Sequence, residues 1–482
     1  MRNERRIITN TAALLSSEGL GQLANLLLVV TLARHYGAAT LGVYSLSMSV
    51  GAVAGLGVSL GIEGLLIRQL SQAQARPKDI FGVLLPVQCL LVPLAWLLAV
   101  IFSLSFIHDR GSLSLIISAT GYQLLSTLGS LLLIPLQARE QMLQVAACEF
   151  AHRLVALLLG ALAIVLGASA SVFAWAFPLS AAALIGLATW QFMRHFGAPL
   201  WQWSPRRAWR LYREAMPFFG STALSVLYSR ASTLLLGTMT GRLELGLYAA
   251  ADRLMVPLLL GPLVFNSTVY PALARLAPGS TQAARDLCAR CIRLLLLATI
   301  PSALLGMLFA PLALQLCFGA GYAAAAGALR WLIWTLVLRG VQYLLGSLLA
   351  ALGLQLAVAR ARAVGILLFA VLAPIMIHVG GFVGAAIALP ICDAVQLGLY
   401  IYALHTVQAV PPMRQAVLAP ACAAAVALLI NGLLPAASPL WRAATLVAVL
   451  SAGMYIFGAV RVYDLRFLRS LLRRPAEVTA QD

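Results

Sequence analysis

The chain has 482 residues, of which 62% are apolar and only 10% charged, with a mean hydropathy of +0.93. Soluble domains average roughly 45–50% apolar and about 25% charged residues, so a soluble enzyme is excluded first. The net charge of +18 would suit a nucleic-acid binder, but it lies in short patches between apolar runs. With no sustained basic face, nucleic acid is excluded as a partner, and the charge fits the cytoplasmic side of a membrane protein.

A bilayer core of about 30 Å needs roughly 20 apolar residues per helix. Windows of that kind run over 8–33, 42–67, 80–106, 113–137, 143–167, 171–193, 214–240, 245–274, 287–313, 324–350, 358–379, 382–404, 413–434 and 439–461. The expected fold is therefore an all-α polytopic membrane protein with about fourteen transmembrane helices. The run from Ile7 to Ala33 exceeds the usual signal-peptide core of about 7–15 residues, so it reads as a structural span. Between spans 11 and 12 the only break is His378 to Gly381. The longest connector, 194–213, is basic and carries Trp201, Trp203 and Trp209, a composition suited to an amphipathic segment at headgroup level.

Basic residues give the sidedness. Of the 33, 24 lie at the N-terminus, beyond even-numbered spans or in the tail, Arg76, Lys78, Arg206, Arg285, Arg360 and Arg362 among them. Four follow odd-numbered spans: Arg34, Arg110, Arg242 and Arg442. The positive-inside rule then places both termini in the cytoplasm and supports an even number of spans.

An internal repeat organises the spans. Gly37, Gly42 and Tyr44 read G-x4-G-x-Y, and Gly241, Gly246 and Tyr248 repeat the pattern 204 positions later. Arg68 stands eleven residues before Asp79, as Arg275 stands before Asp286. Two matches in order, six spans apart, predict parallel halves, between which transporters bind substrate near the midplane. The expected organisation is an N-terminal lobe over 1–193, the connector 194–213, a C-terminal lobe over 214–404, two further spans over 405–461 and a cytoplasmic tail over 462–482.

Five arginines fall inside predicted spans: Arg153, Arg230, Arg253, Arg330 and Arg339. Each costs about 2.5–3.5 kcal/mol at a helix centre on insertion scales, so they must face protein, counter-ions or a wet cavity. Arg330 is shallow enough to snorkel. The acids are Glu18 in span 1, Glu149 in span 5, Asp252 beside Arg253, and Asp393 in span 12. Glu149 and Arg153 share a helix face at i, i+4, which suits either an ion pair or a substrate site. Arg230 and Arg339 have no acid at helix-neighbour spacing. They are candidates for an anion, or for structural pairing with Glu18 or Asp393. Guanidinium offers a planar fork of donors matched to phosphate, whereas an organic-cation exporter is expected to present uncompensated carboxylates.

No metalloprotease, phosphate-loop or nucleophile-elbow motif occurs. Cys288 and Cys291 form a CxxC without a second pair to make a zinc site, and read as packing residues on a helix. No metal, cofactor or enzymatic activity is expected, and the connectors are too short for a nucleotide-binding domain.

The run Leu32-Ala33-Arg34-His35-Tyr36-Gly37, followed by Leu41-Gly42-Val43-Tyr44-Ser45-Leu46, resembles the first-loop pattern of polysaccharide and O-antigen flippases of the Wzx type. These belong to the multidrug/oligosaccharidyl-lipid/polysaccharide exporter superfamily. Gly246-Leu247-Tyr248-Ala249-Ala250-Ala251-Asp252-Arg253-Leu254 resembles that family's entry to span 8. Pro271, Arg275, Phe318-Gly319 and Tyr322 fit its continuation, and the likeness covers roughly residues 7–400. The resemblance implies twelve core helices plus two, moving undecaprenyl-diphosphate-linked oligosaccharide across a bacterial inner membrane by alternating access. On that reading Arg153, Arg230, Arg253 and Arg339 hold the diphosphate. Glu18, Glu149, Asp252 and Asp393 act in ion coupling or as charge partners. The partners are membrane lipids and the lipid-linked glycan, with a polysaccharide polymerase and glycosyltransferases nearby. One departure stands out: where the family often has an acid two positions after the span-7 arginine, Ser232 follows Arg230. A multidrug antiporter of the same superfamily and a non-transporting scaffold for glycan assembly are the alternatives.

Overall fold

The computed structural model describes residues 2–72, 76–107, 112–412, 426, 441 and 444–450, with the side chains of 2–18 and of 221 excepted. Predicted spans 13 and 14 and the tail over 462–482 lie outside the described residues, apart from those few positions. Within the described residues the chain forms helices and turns and no strand, the arrangement that satisfies every backbone group inside a bilayer. In order, the helices are α1 (Arg2–Ser59), α2 (Ile62–Ser71), α3 (Pro77–Phe106), α4 (Leu113–Ala138), α5 (Met142–Val165), α6 (Ala170–Ala174) and α7 (Ala176–Phe196). They continue with α8 (Pro205–Met239), α9 (Arg242–Leu276), α10 (Thr281–Phe318), α11 (Ala326–Leu332), α12 (Trp334–Ala351) and α13 (Gln355–Thr406).

Nine helical stretches among the described residues are long and apolar enough to cross a membrane. Helix α13 has 52 residues and would reach about 78 Å at 1.5 Å per residue, against a hydrocarbon core of about 30 Å. A glycine resolves this. Gly381 (φ 55°, ψ −140°) breaks α13 where the sequence predicts the join of spans 11 and 12, and Gly37 (φ 83°, ψ 174°) breaks α1 between spans 1 and 2. Only glycine enters such conformations without a Cβ penalty.

Two predicted boundaries are corrected. Span 2, expected as one helix over 42–67, is interrupted at Leu60 and Gly61, both with positive φ, where the α8 backbone at Ala215 and Phe219 leaves no room for a Cβ on Gly61. Span 10, expected over 324–350, is one candidate membrane span over Ala320–Ala351, with a turn at Ile333 between α11 and α12. The connector 194–213 is not one amphipathic segment: residues 199–204 run irregularly, with the Gln202 amide donating to the Gly82 carbonyl at 2.9 Å. From Pro205 onward the chain is already helix α8. Arg206, Arg207, Trp209, Arg210 and Arg213 are exposed, while Ala208, Tyr212 and Ala215 pack inward. The segment is thus amphipathic in its second half.

The repeat has a physical cause. A Cβ on Gly42 would overlap the carbonyl oxygen of Arg242, and one on Gly246 would overlap that of Ala38. Positions 38 and 242 differ by the same 204 residues as 42 and 246, so the two motifs cross face to face, related by the repeat itself. Here α1 and α9 meet backbone to backbone. The repeat tyrosines Tyr44 and Tyr248 flank the crossing fully buried, and Tyr44 packs on Phe177 with ring centroids 4.8 Å apart. One contiguous apolar core runs through both halves, from Leu28 in α1 to Leu404 in α13.

Gly246→Ala should lower stability by about 1–3 kcal/mol, the usual cost of overpacking, and depress the thermal unfolding midpoint of the detergent-solubilised protein. Gly186→Ala, where an added methyl meets open space, should leave the midpoint unchanged or slightly higher.

Candidate functional site

The titratable residues predicted inside the spans divide into three groups. In the first, Arg339 on α12 donates from Nε to Oδ2 of Asp393 on α13 at 2.9 Å. The Tyr228 hydroxyl on α8 donates to the other carboxylate oxygen, and Gln342 Nε2 donates to the Asp393 carbonyl at 2.6 Å. Asp393 has no exposed surface, whereas the Arg339 side chain keeps 21% and lies 5.7 Å above the Tyr228 ring. Arg339 therefore has a carboxylate partner, one of the two structural partners the sequence allowed.

In the second group, Glu149 and Arg153 on α5 approach to 3.6 Å. Glu149 also accepts from Ser130 at 3.0 Å and faces His152 Nε2 at 3.7 Å. The Arg153 side chain lies across Gly21 of α1, where a Cβ would collide with it. Of the two readings open for this pair, the ion pair is the one present. The Glu18 side chain lies outside the described ones.

The third group is Arg230 on α8 with Arg253 and Asp252 on α9. Arg230 lies within electrostatic range of Arg253, Asp252 and Tyr44, and Tyr122 is within range of both Arg153 and Arg253. Among the described residues no carboxylate comes within ion-pair distance of Arg230 or Arg253. Adjacent positions on a helix do not face each other, which keeps Asp252 from clamping its neighbour. Both guanidiniums are half-buried. Arg330 is exposed, as its shallow position suggests. Cys288 and Cys291 are fully buried in the core.

A cavity of about 380 Å³ opens beside the first group, walled by α8, α9, α12 and α13. Its lining is polar and aromatic: Tyr228, Tyr270, Tyr343 and Tyr400, the amides Asn266, Gln342 and Gln396, several serines, and the two arginines Arg339 and Arg362. No carboxylate lines it. Along α12 the wall runs from Arg339 to Ala350, about 17 Å at 1.5 Å per residue. That places the cavity in the half of the helix ending at the short α12–α13 turn. Arg362, counted by the sequence among the loop charges that set sidedness, points instead at Ser225, to whose hydroxyl it donates at 2.9 Å. The signal for the cavity was present: Tyr343 and Ser347 follow Arg339 at i, i+4 spacing, a polar stripe inside an apolar span. A second cavity, about 390 Å³, is apolar and lies between α9, α10 and α12.

A family model described as "Polysaccharide biosynthesis protein" matches residues 7–277. The chain belongs to this family. Its fold is similar to that of the lipid II flippase MurJ in an inward closed conformation, at 12% identity and a TM-score of 0.71, over 97% of this chain and 100% of that one. It is also similar to an inward-facing multidrug resistance transporter of the MATE family, MOP superfamily (17% identity, TM-score 0.61, 81% and 95% covered). The multidrug transporter DinF-BH in complex with R6G is similar at 19% identity and a TM-score of 0.57, over 83% and 95%. No curated protein matches the sequence. At these identities the structural likenesses establish the fold alone, a multi-pass helical bundle of the kind those three proteins share.

Removing one partner of a buried ion pair strands the other charge, at about 3–5 kcal/mol, while replacing both by apolar residues is often neutral. Asp393→Ala should therefore unfold at markedly lower temperature than wild type. The double variant Asp393→Leu, Arg339→Met should recover most of that loss, as read from thermal unfolding in detergent.

Proposed function

We propose that the protein is a flippase carrying undecaprenyl-diphosphate-linked oligosaccharide across a bacterial inner membrane by alternating access. The observation that carries this reading is the pair Arg230 and Arg253, two half-buried guanidiniums within each other's field and with no carboxylate at ion-pair distance among the described residues. Two positive charges held at membrane depth without a clamping acid are stabilised by an anion, and a diphosphate matches the donor fork of arginine. Membership of the polysaccharide biosynthesis family and a fold shared with a lipid II flippase support the same substrate class.

Within this proposal residues 1–193 and 214–404 are two lobes, joined by the 194–213 connector and followed by two further spans and a cytoplasmic tail, with both termini in the cytoplasm. Arg153 and Arg339 contribute to the same cationic field, softened by Glu149 and Asp393, which act as charge partners. Asp252 tempers the Arg230–Arg253 pair, and Glu18 remains a candidate for ion coupling. Polymerase and glycosyltransferases are the enzymes such a flippase would work beside. A multidrug antiporter of the same fold is the second reading, favoured by the likeness to the MATE structures. The cavity lining, with two arginines and no acid, speaks against an organic cation.

Arg230→Ala combined with Arg253→Ala should slow flipping of a fluorescent lipid-diphosphate oligosaccharide in proteoliposomes by at least about tenfold, the scale of one lost charge-assisted contact. A rate equal to wild type would remove the diphosphate site. Faster uptake of a cationic dye by the wild type than by empty vesicles would favour the antiporter.

A further inference from the structure

The cavity beside Arg339 and Asp393 is not needed to explain the Arg230–Arg253 pair, and its chemistry differs. A diphosphate is met by cations and amide donors. This cavity has two arginines and three amides too, but it is also walled by four tyrosines, one from each of four helices: Tyr228 on α8, Tyr270 on α9, Tyr343 on α12 and Tyr400 on α13. A tyrosine presents an apolar ring face and a hydroxyl that both donates and accepts. Alternating aromatic faces with hydroxyl and amide groups suits a pyranose, which itself alternates C–H faces with equatorial hydroxyls. Among the described residues the Tyr270 and Tyr343 hydroxyls make no hydrogen bond within the protein, and Asn266 uses only its carbonyl oxygen, on Ser347 at 2.8 Å. These donors are unspent. The volume of about 380 Å³ falls within the range of about 300–1,000 Å³ for small-molecule sites.

The charge in the cavity is also specific. Arg339 is matched by Asp393 at 2.9 Å. Arg362 meets only neutral groups, donating to the Ser225 hydroxyl at 2.9 Å and lying beside the Tyr400 hydroxyl, and has no carboxylate at ion-pair distance among the described residues. Among the described residues the cavity therefore holds one positive charge without a carboxylate partner, Arg362, among sugar-compatible groups. A neutral sugar would leave that guanidinium uncompensated, while a carboxylate on the ring would pair with it in the bidentate geometry arginine favours.

We infer that this cavity is a saccharide subsite for an acidic sugar, in which Arg362 takes the carboxylate of a uronic-acid-type residue and the tyrosines take the ring. The inference rests on the flippase reading and names the class of glycan: one that carries an acidic sugar within reach of the lipid diphosphate. Arg230 and Arg253 hold the diphosphate, and the tyrosine cavity selects the head.

The test uses the purified full chain in nanodiscs and three soluble probes: methyl β-D-glucuronide, methyl β-D-glucoside and inorganic pyrophosphate, titrated calorimetrically. The glucuronide should bind wild type at least about tenfold tighter than the glucoside. Arg362→Gln should erase that difference and leave pyrophosphate binding as it was. Arg230→Ala should weaken pyrophosphate and spare the glucuronide, so that failure of the two readings is told apart. Tyr343→Phe, which removes a hydroxyl unbonded within the protein and leaves the ring, should weaken the glucuronide about threefold or more with an unchanged melting temperature. This variant keeps the proposal testable if Arg362→Gln misfolds. Equal binding of glucuronide and glucoside, no binding of either, or loss of pyrophosphate alongside glucuronide in Arg362→Gln would each overturn the assignment.

Discussion

The cost of holding a guanidinium in a low-dielectric slab governs how the interior of this protein is arranged. Each such charge must find a carboxylate, a polar cavity or a substrate, and the structure uses more than one of these solutions. Arg153 has Glu149 one turn away, and Arg339 has Asp393 from the neighbouring helix. Arg362 reaches a polar cavity, and Arg230 lies within the field of Arg253, with Asp252 near enough to moderate it. The helices α8, α9, α12 and α13 pack as they do partly because these groups must meet. Asp393 is bonded from three sides, by Arg339, Tyr228 and Gln342, and so ties α8, α12 and α13 at one depth.

The division of labour among the arginines follows from that accounting. A pair closed by its own acid contributes order, because both charges are already satisfied. A guanidinium without such an acid contributes potential, available to an incoming anion. The sequence placed four arginines in one substrate role, while the structure separates them into matched and unmatched members. The unmatched ones carry the proposed chemistry; of the matched ones, Arg339 lines the tyrosine cavity and Arg153 lies across Gly21 of α1.

Much of the fold was legible in the residues because membrane helices obey few rules. Length and apolarity gave most of the helix positions through residue 404, although α8, which holds predicted span 7, is not among the nine stretches apolar enough to cross, and Gly381 and Gly37 marked the breaks that a continuous helix hides. The repeat was legible as a pattern, although its cause, a crossing of α1 and α9 too close for any side chain, needed coordinates. Local spacing also found Glu149 and Arg153, since i, i+4 neighbours meet on any helix. It could not find Arg339 and Asp393, which are 54 residues apart in sequence and meet only through helix packing. Arg362 was misplaced for a related reason. Counted as a flanking charge, it fits the positive-inside rule, yet the start of α13 turns it into the cavity. The break at Gly61 escaped because Phe219, whose backbone leaves no room for a side chain there, lies in another helix.

The crossing at Gly42 and Gly246 also constrains how this chain can diverge. Because main-chain atoms press on main-chain atoms there, no neighbouring side chain can shrink to make room for a larger residue at either position. A change at one motif is relieved only by moving the whole of α1 against α9. Each glycine thus secures its partner: a side chain at either position would push apart the very contact that the other one makes possible.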